Sequence, residues 1–494
     1  MRTKSIEESI RDTDDPERGL RRSLSALDLT VFGVGVVIGT GIFVLTGQIA
    51  KTMAGPSVAI SFAVAGAVCA LAALCYAEFA STVPVAGSAY TFAYASLGEL
   101  PAWIIGWDLV LELALGCAVV AVGWSGYVRS LLDNAGWHLP QWLSGTTPET
   151  GFGFDLLACV LVLALTAILV LGMKLSARVT TVIVAIKVGV VLVVIIAGAF
   201  FVTADNYRPF IPPAKGSATG GGGLTAPLIQ LMSGYAPTAF GVMGIFTAAA
   251  VVFFAFIGFD VVATAAEETR RPQRDMPRGI LSSLVICTVL YVAVSIVVTG
   301  MRKYTKLTVQ APLADAFKAV GQPFWAGLIS FGAAIGLTTV CMILLLGQSR
   351  VFFAMSRDGL LPRFFSRVHP HFQTPYRSTI LLGVLVAIVA GFTSIAELAE
   401  LVNIGTLFAF VVVALGVIIL RRTRPDLPRA FRTPLVPALP IASVLASLWL
   451  MLNLPTETWL RFAGWMVLGG IIYALYGRRH STMHERAPER TGGE

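Results

Sequence analysis

Apolar residues recur along this 494-residue chain in blocks long enough to cross a bilayer; a spanning helix needs about 20 of them. Twelve blocks stand out, near 27–50, 57–80, 101–131, 154–172, 179–203, 240–266, 279–300, 324–349, 377–393, 396–420, 434–453 and 459–477. Lipid offers no partner to a backbone N–H or C=O, so segments of this kind must satisfy themselves as helices. Only 13% of the residues are charged, about half the share of a soluble domain. The reading is an all-α integral membrane protein with twelve transmembrane helices. No cleavable signal peptide stands before the first block.

Basic residues set the topology. With the N-terminus in the cytoplasm, 26 of the 36 Lys and Arg fall on inner segments and 9 on outer ones, and Lys187 lies inside a span. That bias places both termini in the cytoplasm and the chain in the cell membrane as a multi-pass protein. Two loops dissent. The inner loop after the second block has no basic residue, and the outer loop after the seventh holds Arg302, Lys303, Lys306 and Lys318. The net charge of +8 therefore reads as orientation and lipid contact, not nucleic-acid binding.

The first block contains Thr30-Val-Phe-Gly-Val-Gly-Val-Val-Ile-Gly-Thr-Gly-Ile-Phe-Val-Leu45. Each interior glycine weakens a helix by about 1 kcal/mol relative to alanine. Two readings fit. Gly35 and Gly39, in GxxxG spacing, serve a close helix-packing face. Alternatively, the helix breaks and resumes at Thr40-Gly41-Ile42. Its open N–H groups and positive dipole end then face a cavity, a ready site for a carboxylate. The sixth block carries the counterpart, Val252-Phe-Phe-Ala-Phe-Ile-Gly-Phe-Asp260. A break at Gly258 leaves the first half ending near Ile257 with unbonded carbonyls, which suit an ammonium. Asp260 lies just past it. Phe253 alone reads as packing.

The first and sixth blocks lie five apart and cross in opposite senses. This is the pattern of an inverted repeat of five spans plus five, with a site at the midplane. One break offers N–H groups and the other C=O groups. A zwitterion with carboxylate and ammonium on one carbon matches both. The expected organisation is an N-terminal tail (1–26), a first five-helix repeat (27–203), an extracellular loop (204–239), a second repeat (240–420), two peripheral helices (421–477) and a cytoplasmic C-terminal tail (478–494).

Three charged residues lie deep in the blocks. Glu112, eleven residues past Pro101, is about 16 Å along the axis. A carboxylate at that depth marks a polar pathway or a structural hydrogen-bond partner. Asp108, four residues earlier, shares its face. Lys187 is nine residues inside the fifth block, about 13 Å, too deep to snorkel. It faces protein or water as a proton-titrating amine or a fixed ion pair.

Enzymatic classes find no support: no nucleophile–base pair, phosphate loop or cofactor motif is present. The six cysteines fall in apolar blocks as free thiols, and His369 and His371 belong to a solvated loop. No metal or cofactor is expected, with H+ as the coupling ion. A non-transporting receptor would need a sensor domain, and none is added here.

Ile38-Gly-Thr-Gly-Ile-Phe43, Phe254-Ala-Phe-Ile-Gly-Phe-Asp260 with Ala265-Ala-Glu-Glu268, Ser356-Arg-Asp-Gly-Leu-Leu-Pro362 and Leu401-Val-Asn-Ile-Gly-Thr406 resemble the amino acid–polyamine–organocation superfamily. Within it the chain most resembles bacterial members of the cationic amino acid transporter family, over about residues 20–480. The resemblance implies the LeuT-like fold with two extra C-terminal helices. It implies that Ile38, Gly39, Thr40 and Gly41 hold a substrate carboxylate and that carbonyls of Phe254, Ala255 and Ile257 receive its ammonium. Phe256 would shape the pocket and Glu112 its selectivity. Lys187 would stand where sodium-coupled relatives hold a sodium ion, which implies proton coupling, with Thr338 and Thr339 beside it. Asp108 and Asp260 are secondary candidates. The expected function is proton-coupled uptake of L-amino acids by alternating access; the alternative is an amino acid or polyamine exchanger without net proton coupling. The partners are an amino acid and the bilayer, plus any small membrane subunit, which the sequence does not identify.

Overall fold

The computed structural model describes residues 24–82, 88–143, 145, 153–172, 177–217, 223–234, 237–372 and 374–481. Arg21, Arg22, Pro84, Gly87, residues 218–222 and 235–236 of the expected extracellular loop and the end of the C-terminal tail lie outside them. Every apolar block carries a helix. The principal ones are α1 (Ala26–Val37), α2 (Val58–Thr82), α3 (Ser88–Ser96), α4 (Glu99–Asn134), α5 (Leu156–Val170), α6 (Ala177–Ala199) and α7 (Gly241–Val252). There follow α8 (Pro272–Met301), α9 (Pro312–Ala319), α10 (Pro323–Arg357), α11 (Tyr376–Phe392), α12 (Ile395–Thr423), α13 (Ala438–Leu452) and α14 (Thr456–Ile472). Among the described residues, 8 helical stretches are long and apolar enough to cross a membrane, and four shorter apolar helices accompany them.

Local chemistry sets several boundaries. Ser25 and Asp28 form a capping box that starts α1, two unpaired N–H groups answered reciprocally. Pro272, Pro312 and Pro323 open α8, α9 and α10, where a missing N–H costs nothing. The loop expected between the second and third blocks contains α3. The third span begins at Glu99, after Gly98 at φ 101°, so Pro101 sits in its first turn.

Packing follows a regular scheme. α2 packs on α8, α4 on α10 and α5 on α11, each pair five blocks apart, and the interrupted first and sixth blocks touch each other. α6 lies against α1, α8 and α10.

The two C-terminal helices expected at the periphery are tied to the bundle by specific contacts. Trp107 of α4 donates its indole N–H to Trp465 O (2.9 Å), Trp465 returns one to Trp107 O (3.1 Å), and Trp103 donates to Gly469 O (3.0 Å). The Trp107 and Trp465 rings stack 4.4 Å apart, which docks α14 onto α4. At the end of α2, Glu78 accepts two N–H groups of Arg421 (2.9 and 2.7 Å) and the Thr433 backbone N–H (2.7 Å). This clasp ties the connection between α12 and α13 to α2.

Candidate functional site

Both interruptions are present. α1 stops at Val37, Ile38 takes extended geometry, and the chain coils again as a π-helical turn over Gly41–Leu45. In the sixth block the α-helix ends earlier than predicted, at Val252, and a tighter 3-10 turn over Phe253–Phe256 continues to Ile257. Ile257 is extended, and Gly258 follows at φ 113°, a conformation that glycine adopts readily. The stretch after it is a second 3-10 segment, Val261–Glu268.

The two readings of the glycine stretch divide by residue. A Cβ on Gly33 would meet Ser283 at 2.6 Å, and one on Gly35 would meet Val184 at 2.5 Å, so these glycines permit close helix packing. A Cβ on Gly41 would run into the backbone of Ala255. Gly41 is what lets the two breaks touch. A Cβ on Gly39 would make only ordinary contact, with Val340 at 3.7 Å.

The freed backbone groups find distinct partners. Lys187, 1% exposed, donates its amine to Gly35 O (2.5 Å) and Ile38 O (3.3 Å). These carbonyls lost their helical partners at the break. Its stem lies where a side chain at position 336 would go. The Tyr291 hydroxyl donates to Val37 O at 2.6 Å and lies 2.8 Å from Ala255 O, joining the two breaks. Asn403 donates to Ala250 O and Val251 O and so closes the end of α7. Gly258 N–H donates to Asp260 Oδ1 (3.2 Å), which fixes that turn. Ile257 O accepts no hydrogen bond among the described residues, and the helix restarting at Thr40 has no preceding turn to bond its first N–H groups.

A cavity lies between the breaks. Gly39, Thr40, Gly41, Phe254 and Ile257 line it on one side; Glu112, Leu113, Gly116 and Val120 of α4 and Val340 and Leu344 of α10 line the other. Its wall is apolar apart from backbone, the Thr40 hydroxyl and Glu112. That hydroxyl and both Glu112 carboxylate oxygens are buried without a hydrogen-bond partner among the described residues. Thr406 stands near Glu112, but its hydroxyl donates to Val402 O.

The remaining candidates lie elsewhere. Ile38 serves Lys187 rather than the cavity wall. Phe256 turns away, packed against Phe62 and Tyr291, and so does not shape the pocket as expected. Ala255 touches Gly41 behind the wall. Thr338 and Thr339 donate to Ala334 O and Gly336 O of their own helix; neither hydroxyl bonds Lys187. Asp108 lies one turn from Glu112, outside the lining. Sequence reasoning missed Tyr291, whose role depends on helices far apart in the chain, and it noted Asn403 without a role. Among the described residues no His/Cys/Asp/Glu group could hold a metal. His369 instead accepts backbone N–H groups of His371 and Phe372.

Long apolar helices, two of them interrupted at a shared buried cavity, define a multi-pass membrane protein built to hold a small molecule. Residues 24–472 match the amino acid permease family, and the chain belongs to it. It is 48% identical over 489 residues to the branched-chain amino acid permease BcaP of Bacillus subtilis (98% of this chain, 99% of the relative). It is also 48% identical over 469 residues to the methylthioribose transporter of the same organism (95% and 96%). With the vacuolar cationic amino acid transporter 4 of Arabidopsis thaliana it shares 39% identity over 430 residues (86% and 68%). These relatives are transporters and permeases, and this chain is a permease, not an enzyme.

Proposed function

We propose that this permease imports neutral L-amino acids with aliphatic side chains across the plasma membrane, coupled to protons, by alternating access between its two breaks. The observation that carries the reading is the cavity itself. Restarting N–H groups at Gly39–Gly41 and the turned-out carbonyl of Ile257 adjoin it, so one end suits a carboxylate and the other an ammonium. Phe254 O accepts the Ile257 N–H and Ala255 O lies 2.8 Å from the Tyr291 hydroxyl, which makes Ile257 O the leading ammonium acceptor. Leu113, Gly116, Val120, Val340 and Leu344 supply an apolar wall for the side chain. A relative named as a branched-chain amino acid permease supports that preference. Glu112, at the wall, sets selectivity between basic and neutral substrates.

The pairing of blocks five apart supports twelve spans arranged as two inverted five-helix repeats, 27–203 and 240–420, in the LeuT-like fold. Residues 421–477 add two helices, and both termini are cytoplasmic. Lys187 is the coupling group. Its amine is bonded to the carbonyls of the first break, so gain or loss of its proton alters the element that binds substrate. That differential contact is what a coupled equilibrium requires.

The test is uptake of labelled amino acids into proteoliposomes with and without an inward proton gradient, for the wild type and Lys187→Met. Acid outside should raise wild-type uptake, and the variant should lose the response. An unchanged response in the variant removes Lys187 from coupling; counterflow with no gradient response in the wild type favours the exchanger. The methylthioribose transporter favours a second reading, since that substrate, a thioether sugar, carries neither charged pole. Uptake of labelled methylthioribose in place of every amino acid in the panel would establish it.

A further inference from the structure

Beside the cavity, on the face of α4 that carries Glu112, lies a second carboxyl with no assigned work. Asp108 is fully buried, and neither of its oxygens has a hydrogen-bond partner among the described residues. It presses on α12, where a Cβ at Gly405 would come within 2.8 Å of Asp108 Oδ1. Asp108 is four residues from Glu112 on one helix, about 6 Å along the axis. The step leads away from the cavity toward the end of α4 at Glu99, cytoplasmic in the topology that the basic residues set.

The groups facing this pair are acidic or neutral. Tyr76 of α2 stands within electrostatic reach of both carboxyls, and Asp260, from beyond the second break, within reach of Glu112. The Tyr76 hydroxyl is also buried without a partner. α12 contributes Gly405 and Thr406. On α10, Gln348 is turned to Val110 O, and α14 presents the Trp465 indole to Trp107. Tyr90 of α3, next to Gly106, is bonded to Asp358. No Lys or Arg side chain reaches Asp108 or Glu112 among the described residues. Lys187 sits across the first break, held by Gly35 O and Ile38 O.

A purely structural carboxyl in lipid-embedded protein takes a hydrogen bond or a cation, because an unpaired buried charge is costly. Two stacked carboxyls with neither are stable there carrying protons, and they stand one helical turn apart on one face of α4. We propose that Glu112 and Asp108 form a proton ladder that conducts the coupling proton from the substrate cavity toward the cytoplasm. Asp108 releases its proton toward the cytoplasm, the Glu112 proton passes to the Asp108 carboxylate, and Glu112 is reprotonated from Lys187 or the substrate cavity, so that both carboxyls end protonated as they began. Only O–H bonds, and the N–H of the Lys187 ammonium where it is the donor, are made or broken, and no co-reactant is needed.

The ladder rests on the coupling reading above, so the experiment separates the two. Proteoliposomes loaded with a pH-sensitive dye are assayed for counterflow of labelled substrate at equal pH, for uptake under an imposed proton gradient, and for substrate-induced acidification of the lumen. Asp108→Asn cannot release a proton. It should keep counterflow, while gradient-driven uptake and acidification fall about a hundredfold, the scale of removing a positioned proton carrier. Asp108→Glu should restore both. Gly405→Ala, which crowds Asp108 without touching its chemistry, should depress driven uptake more than counterflow and covers the case in which Asp108→Asn does not fold. Full driven uptake and acidification in Asp108→Asn, or equal loss of counterflow and driven uptake in Gly405→Ala, would overturn the ladder alone. A wild type without substrate-induced acidification would overturn the coupling reading together with it.

Discussion

Gly41 shows how one residue decides whether the site exists. It stands where the restarting first helix meets the second break, and any side chain would strike the Ala255 backbone. Overpacking of this kind costs about 1–3 kcal/mol, and here the displaced atoms are the ligand-facing backbone. Gly41→Ala should abolish saturable uptake while the protein still inserts and elutes as a folded species; wild-type uptake by that variant would contradict the contact. Lys187 was legible at this scale because a lysine so far inside an apolar block has no route to water. Its acceptors were not, since Gly35 O and Ile38 O become available only once the helix has broken. The same limit applied to Phe256. Sequence could place it at the break but not say which way the 3-10 turn would point it.

At the scale of the element, the breaks depend on side chains borrowed from other helices. An interrupted helix in lipid leaves carbonyls that need donors. Tyr291 of α8 serves Val37 and Ala255, and Asn403 of α12 serves Ala250 and Val251. Tyr291→Phe keeps the ring packing on Phe62 and Phe256 but removes the proton. An unsatisfied buried acceptor costs about 1–3 kcal/mol. The variant should therefore unfold at a lower temperature in detergent, and its apparent substrate affinity should weaken. An unchanged melting midpoint would show that the carbonyls have other partners. Helix positions were readable from the apolar blocks, although α8 starts seven residues before its block and α10 runs eight residues past its own. The early end of α7 at Val252 was not, because its last carbonyls, of Ala250 and Val251, are bonded by Asn403 from α12, far off in the chain. Helix α3 escaped notice because it is only nine residues long and lies in a stretch rich in turn formers.

Across the whole molecule, the pairing of α2 with α8, α4 with α10 and α5 with α11 turns a sequence-level periodicity into an arrangement around one cavity. The glycines at the first and sixth blocks announced that arrangement. The docking of α14 through reciprocal Trp107–Trp465 contacts did not announce itself, since tryptophans in apolar helices ordinarily read as lipid-facing or interfacial. The central claim is that two broken helices present opposite backbone poles to one zwitterion. It is tested most directly by competition against the best-transported labelled amino acid, using the same molecule stripped of its carboxylate or of its ammonium. Each hydrogen bond to a charged group is worth about 1.5–3 kcal/mol, or about ten- to a hundredfold or more in affinity. The account predicts that both stripped analogues compete at least about tenfold more weakly than the parent; an analogue lacking either pole that competes as well as the parent would contradict it.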